Sequence, residues 1–508
     1  MGREYSLDSL QIDRTGAENL HRQIYAQVRN LIEARVLASG SALPSTRELS
    51  RVLGVGRNSV IAAYDQLALE GYLRLRRGAR PLVVELPARA RPAPAAGGRA
   101  VDVLSARGRL LQAQAYHSGR PGHLVLHPGM PDPDNFPFDT WARLLSRRAR
   151  HARHDLFGAY HLQGYPPLRE AIARYATVSR GVNCGPDQIV VTNGAQSAFD
   201  LLARLLIDPG DAVWMEEPGY YGARAALVSA GASLVPLHVD RGGWRLDPPT
   251  RPPRLIFVTP SCHYPLGITM PMEQRLNLLR LAEASDALII EDDYDSEYRF
   301  QGQPIPALQG LDVSGRVVFV GTFAKILFPA MRLGFVVLPP AICDRIVPAL
   351  ATTGHFAPLV TQAALADFIN AGHLTRHLRR TRRLYAQRRE AFYAAFDAHL
   401  SPWLSLQRTG TGIQQVARFH GAVDDRAFVA ASAAEGINVS ALSMQYHGRA
   451  AHPGLLLGFA SADQREQERA LRRLGLLARR LAEPLAAASL PDGTVRASAA
   501  TGSGGEGA

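Results

Sequence analysis

The chain has 508 residues, 46% of them apolar, enough for two or three packed domains and too apolar for wholesale disorder. No run of about 18 or more uninterrupted apolar residues occurs, so no transmembrane helix is expected, and the polar opening MGREYSLDSL lacks the apolar core of a secretory signal. The net charge of +12 favours a polyanionic partner, while Cys184, Cys262 and Cys343 have neither metal-ligand nor disulfide-framework spacing, which points to a reducing cytoplasmic setting without a metal or membrane partner.

Near the N-terminus, Leu20, Ile24, Val28, Leu31 and Ile32 recur at helical spacing. After the turn at Ala38–Ser41, Ser45 is a good N-cap and Glu48, three residues on, completes a capping-box pattern for a short helix that ends at Gly54. A further helix opens at Gly56-Arg57-Asn58-Ser59 and runs to Gly71, and the segments 72–76 and 81–84 read as two strands around Arg77-Gly78. Three helices and a hairpin make a winged helix-turn-helix. Its last helix would enter the DNA major groove with its first turn, Arg57 and Asn58 reaching base edges and Ser59 beside them. Ser45, Thr46 and Arg47 would meet backbone phosphates, and Arg77 would sit on the wing.

Residues 1–86 are therefore expected to form a DNA-binding domain and the Pro/Ala/Arg-rich stretch 87–122 a stiff linker. In 123–485, short apolar runs such as 188–191, 212–215, 255–258, 287–290 and 317–320 alternate with helical stretches, which predicts an α/β domain with a mostly parallel sheet. Residues 486–508 are small and polar and read as a disordered tail. The basic run from Arg376 to Arg389 lies on an expected helix and reads as a solvated face or dimer contact, and Cys262-His263 as a loop packing pair.

The chemistry gathers at the carboxyl ends of the expected strands, where open α/β sheets bind ligands. The segment 192–197, TNGAQS, presents small residues at a helix N-terminus, a natural phosphate cradle. In EDDY, 291–294, a carboxylate could pair with a protonated pyridine nitrogen and the tyrosine with a phenolic oxygen. GTFAK, 321–325, ends on Lys325, the single lysine among 57 basic residues. Composition bias can put arginine in place of lysine on a surface, but arginine cannot act as a neutral nucleophile, whereas a desolvated lysine amine can form a Schiff base with a carbonyl. Thr322 and Arg332 add a hydroxyl and a guanidinium suited to phosphate.

As an ordered set, LPSTRELSRVLGVGRNSVIAAYDQLALEGY, LHPGMPDPDNFP, GYPPLREAIARY, TNGAQ, EEPGYYG, EDDYDSEYR, GTFAK and LLLGFAS resemble a MocR-type transcription regulator, in which a GntR-type winged helix is fused to a fold type I aminotransferase domain. The resemblance implies pyridoxal phosphate as cofactor, held by Lys325 through its aldehyde, Asp292 at the pyridine nitrogen, Tyr294 at the phenolic oxygen and Tyr220 stacked on the ring. It assigns the phosphate to Gly194, Ala195, Gln196, Thr322 and Arg332, and gives Tyr160 the role of reaching into a partner subunit's site. The implied function is PLP-dependent regulation of transcription on double-stranded operator DNA by a head-to-tail homodimer that senses the cofactor itself or an amino-acid or amine effector. An active class I/II aminotransferase with an accessory DNA-binding domain is the alternative, and turnover with keto acids would separate the two. A degenerate pocket is a third reading and would leave the protein without a yellow colour. Ala324 replaces a common serine, the segment 261–267 departs from the usual Ser-His-Gln-Phe-Pro-Thr-Gly, and Gly222 and Leu455 stand where an arginine clamp for an effector carboxylate would be sought, leaving Arg224 and Arg449 as nearby candidates.

Overall fold

The computed structural model describes residues 7, 10–14, 16, 18–85, 103–113, 125–151, 156, 158, 161–247, 251–303, 305–354, 356–448 and 452–488, with backbone only from 482 onward. The chain divides into two compact units, Met1–Val103 and Leu104–Ala508.

In the first unit, α1 (Leu20–Glu33), α2 (Thr46–Leu53) and α3 (Arg57–Leu69) close around a small core. Ile24, Val28 and Ile32 form the buried stripe of α1, and Val60, Ala63, Tyr64 and Leu67 that of α3. The capping box is made: the Glu48 N–H donates to Ser45 Oγ and the Ser45 N–H to Glu48 Oε2, each at 3.3 Å. Gly54 takes the left-handed conformation that ends α2, with φ +61°. Ser45→Ala is expected to cost about 1 kcal/mol and to lower this unit's melting temperature by roughly 4–8 °C, read from the thermal transition of the full-length protein. The wing strands are shorter than the sequence suggests, β1 (Leu73–Arg74) pairing antiparallel with β2 (Leu82–Val83). Leu73 and Val83 point into the core, whereas from Leu75 onward the side chains are exposed and nothing packs beneath them to extend the ladder.

The second unit is built on an eight-stranded sheet in the order β3 (Ile189–Thr192), β10 (Gly334–Val337), β9 (Val317–Thr322), β8 (Leu288–Asp293), β7 (Leu255–Val258), β4 (Ala212–Glu217), β5 (Ser233–Asp240) and β6 (Gly243–Trp244). From β9 to β5 the strands are parallel; β10 and β6 run against their neighbours. The central strands are unbroken runs of buried apolar residues because helices cover both faces, each with its own apolar cluster. A smaller antiparallel sheet has the order β11 (Leu404–Gln407), β12 (Gln414–Phe419), β14 (Gly454–Gly458), β13 (Ser440–Ala441). A short helix, Ala106–Ala113, lies within the stretch read as linker, and the last helix, Gln464–Ala488, runs into the stretch 486–508 read as a tail. The basic run lies on the helix His373–His399, where Arg388 pairs with Asp132 at 2.8 Å and Arg389 sits 4.7 Å over the Phe300 ring. No helix of the described residues is long and apolar enough to cross a membrane.

Candidate functional site

Strand register brings three sequence-distant segments to one edge of the sheet. β8 and β9 run parallel with Asp292 opposite Val320, so the acidic cluster ends beside the start of the Lys325 loop. The antiparallel β10 sits between β3 and β9, pairing Gly334 with both Thr192 and Thr322. Because β10 is reversed, Arg332, just before its first residue, lies at the edge where β3 and β9 end. A Cβ on Gly334 would come within 3.0 Å of the Gly194 backbone, so this approach requires glycine.

The result is a cavity of about 250 Å³. Gly194, Ala195, Gln196, Thr322 and Arg332 line one end of the expected set; Asp292, Tyr294, Tyr220 and Lys325 line the rest. Gly194, with φ +86°, caps the helix Ala195–Leu206, and the Arg332 guanidinium carbon lies 3.8 Å from where a Cβ at Gly194 would stand. A guanidinium over free helix N–H groups is an anion site. Thr322 Oγ1 accepts from the Ala324 N–H at 3.2 Å, and Gln196 Nε2 donates to the Gly222 carbonyl at 2.9 Å. Tyr160 and Arg449 lie outside the described residues. Arg224 does not line the cavity; its guanidinium donates to the Met444 carbonyl at 3.1 Å.

The three acids of β8 have three different surroundings, because successive strand residues face opposite sides. Glu291 accepts from the N–H groups of Leu308 and Gln309, each at 2.8 Å, and caps the short helix Leu308–Leu311. Asp293 pairs with buried Arg180 at 2.5 Å, and Arg180 also donates to Ser261 Oγ at 3.1 Å. Asp292, between them, faces the cavity, and its Oδ1 is buried with no hydrogen-bond partner. Burial pushes the Asp292 carboxyl well above the usual carboxylate range, with Asp293 and Glu216 adding like-charge repulsion and Lys325 opposing. Lys325 shifts the other way. Burial lowers its pKa and Asp295 and Asp292 hold it up, while its Nζ donates to the Gly129 carbonyl at 2.8 Å.

Tyr220 packs edge-on to Tyr264, with centroids 5.2 Å apart, and Tyr294 lies 5.8 Å from Tyr264. The Tyr294 hydroxyl donates to Cys262 Sγ at 3.6 Å. His263 is fully buried against Trp244, and burial lowers its pKa to about 3, which suits a packing role. His127, Tyr264, Gln414 and Ser440 also line the cavity, although sequence reasoning did not single them out. The smaller sheet and the 125–131 loop supply three of them, and only tertiary packing places those elements here. Gln414 carried no local signal of its own, since β12 reads QQVARF and holds two other polar residues, Gln415 and Arg418.

On the first unit, Arg57 and Asn58 are exposed at the opening turn of α3, whose N-cap Gly56 offers no side-chain cap. Arg57 Nε donates to Thr46 Oγ1 at 3.4 Å, joining the two helices of the motif. Ser45 and Thr46 are half-buried, Ser59 likewise, and Arg47 and Arg77 are exposed. Arg80 pairs with Glu48 at 3.3 Å. Arg57→Ala is expected to weaken specific operator binding by about 1–3 kcal/mol, the worth of a bidentate base contact; fluorescence anisotropy against a scrambled duplex measures it, and an unchanged ratio removes that role.

Comparison with known proteins agrees at both ends of the chain. Residues 129–474 match the family "Aminotransferase class I and II", and residues 20–83 match "Bacterial regulatory proteins, gntR family". The chain is 49% identical over 467 residues, 92% of its length and 95% of the relative's, to the "Probable rhizopine catabolism regulatory protein MocR" of Rhizobium meliloti. It is 32% identical over 456 residues, 87% of its length and 92% of the relative's, to the pyridoxine biosynthesis transcriptional regulator PdxR of Corynebacterium glutamicum. An archaeal alanine:glyoxylate aminotransferase structure superposes with a TM-score of 0.67 at 25% identity, covering 74% of this chain and 98% of that one. Fold and site thus define an aminotransferase-type unit joined to a gntR-type DNA-binding head. The chain belongs to the MocR-type transcription regulators.

The cofactor of this class is pyridoxal phosphate, and the residues present fit it. An anion site lies at one end of the cavity, an orphaned buried carboxylate oxygen waits for an N–H, and the one lysine of the chain opens onto the same space.

Proposed function

We propose that this regulator binds operator DNA through α2, α3 and the wing, and that occupancy of the Lys325 cavity by pyridoxal phosphate and a small amine sets its affinity for DNA. The observation that carries the reading is the meeting of the chain's only lysine with the unpartnered Asp292 oxygen in one cavity. Lys325 would hold the cofactor's aldehyde carbon, Asp292 its pyridine nitrogen, Tyr294 its phenolic oxygen and Tyr220 its ring face. Gly194, Ala195, Gln196, Thr322 and Arg332 would hold its phosphate. When bound, the cofactor supplies an electrophilic carbon that takes up one amine at a time and a ring that withdraws electron density from it.

The chain's own groups do the rest. Burial lowers the pKa of Lys325, which raises the share of neutral amine able to act as a nucleophile. Buried, with the acids Asp293 and Glu216 opposed only by Lys325, Asp292 is a poor anion; beside a pyridinium it would be a good one, so cofactor entry would relieve a buried charge conflict. With a ligand amine lodged in the cavity, Lys325 Nζ would keep the Gly129 carbonyl as its hydrogen-bond acceptor. Ligand entry alters DNA affinity only if the two states of the protein bind the ligand differently. Head-to-tail pairing, with Tyr160 entering the partner's site, would couple two cavities to two DNA-binding heads. The Rhizobium meliloti relative is named for a probable regulation of rhizopine catabolism, which makes rhizopine an effector to test.

The test is a gel shift on the intergenic DNA upstream of the gene, with apo-protein, with pyridoxal phosphate, and with pyridoxal phosphate plus an amine panel that includes rhizopine. A change of at least fivefold in DNA affinity on ligand addition is expected. Equal affinity in all arms would refute the sensing role.

A further inference from the structure

Gln414 opens β12, opposite Gly458 of β14, and lines the cavity beside Lys325. It is 5% exposed, and its Nε2 has no hydrogen-bond partner. The next residue shows what a satisfied glutamine looks like here: Gln415 points to the opposite face of the strand and accepts from the Thr409 N–H at 3.0 Å. A Cβ at Gly129 would lie 2.6 Å from Lys325 Nζ and 3.4 Å from Gln414 Oε1, so the amine and the amide flank one point of the loop. A buried amide N–H group without a partner is costly, and its persistence at a ligand cavity points to a partner that arrives with the ligand.

The charges around it choose the kind of partner. Among the described residues lining the cavity, Arg332 is the single guanidinium, and it lies at the Gly194 end. The other lining residues from the 125–131 loop and the smaller sheet, His127 and Ser440, bring neither an acid nor a guanidinium, and burial lowers the pKa of His127. Ile413, the preceding residue, donates its N–H at 2.8 Å to Asp295, a further buried acid. With Lys325 engaged by the cofactor, a ligand carboxylate here would meet the acids Asp292 and Asp295 and no further counter-charge among the described lining residues, whereas a hydroxyl would meet an amide able to donate and accept. The cavity is smaller than the roughly 300–1,000 Å³ usual for ligand sites, which limits the ligand to a small one.

We propose that Gln414 is the specificity-determining residue of the effector site, its amide hydrogen-bonding a neutral oxygen of a small primary amine lodged beside Lys325, so that hydroxylated amines are preferred to amino acids. This rests on the reading that an amine effector enters the Lys325 cavity. The experiment uses full-length protein loaded with pyridoxal phosphate. It titrates trans-4-aminocyclohexanol, cyclohexylamine, alaninol and alanine, and reads both the visible cofactor band and anisotropy of labelled upstream DNA. In the wild type, the aminocyclohexanol is expected to half-saturate at least tenfold below cyclohexylamine, and alaninol at least tenfold below alanine. Gln414→Leu should erase the first ratio, and Gln414→Arg should invert the second toward alanine. If the amines act but both variants keep the wild-type ranking, the role of Gln414 is overturned and the amine-sensing reading stands. If no amine of either kind moves the band or the anisotropy, both fall together.

Discussion

Lys325→Ala is expected to abolish the visible absorbance band of bound pyridoxal phosphate and any pyridoxyl adduct fixed by borohydride, because no other side chain offers a primary amine. The fold should persist. The variant loses one hydrogen bond, from Nζ to the Gly129 carbonyl, and leaves that oxygen unsatisfied at a cost of about 1–3 kcal/mol. The phosphate end, built on Gly194 and Arg332, is untouched, so the cofactor should still bind non-covalently but at least a hundredfold more weakly, a loss of about 3 kcal/mol. The wild-type loading rate carries a second signature. Only the neutral amine attacks, and burial holds its pKa below the ordinary lysine value of about 10.4. Loading should therefore slow as pH falls through a midpoint below that value. Stopped-flow absorbance measures it, and a midpoint at the ordinary value would contradict the burial argument. Mass mapping of the reduced protein with the adduct anywhere but Lys325 would sink the whole assignment.

Asp292→Ala should separate affinity from stability. The carboxyl is 5% exposed, one of its oxygens has no partner, and its neighbours Asp293 and Glu216 are acids. Removing one member of a buried ion pair costs about 3–5 kcal/mol, so cofactor affinity should fall by roughly two to four orders of magnitude. Without cofactor the same substitution removes an unsatisfied acid from the interior, and the melting temperature of the apo-protein should hold or rise. Asp292→Asn keeps the shape and loses the charge, and should also bind weakly. A variant that loses both affinity and apo-stability would mark Asp292 as structural, a role already filled on this strand by Glu291 and Asp293.

Much of this was legible locally. The capping box at Ser45, the buried strand runs and the lone lysine are short-range patterns, set by hydrogen-bond spacing, side-chain alternation and the chemistry of one amine, and they can be read without knowing what lies nearby in space. The wing was overestimated because strand propensity says nothing about whether a core exists beneath the strand; Leu73 and Val83 have one, and the residues toward Gly78 do not. EDD in β8 shows the same divide. Its sequence announces three acids at a strand end, but only the packing of Arg180, of the helix Leu308–Leu311 and of the cavity assigns each a separate task.

Local sequence thus determined the element types, the helix-turn-helix and the position of the one lysine. Tertiary structure alone decided that the reversed strand β10 carries Arg332 to Gly194, and that the 125–131 loop and the smaller sheet set His127, Gln414 and Ser440 around Lys325. The physical reason is range: a hydrogen-bond pattern or hydrophobic period spans a few residues, whereas the cavity is closed by segments brought together from nearly the whole second unit, through burial that depends on every partner being in place.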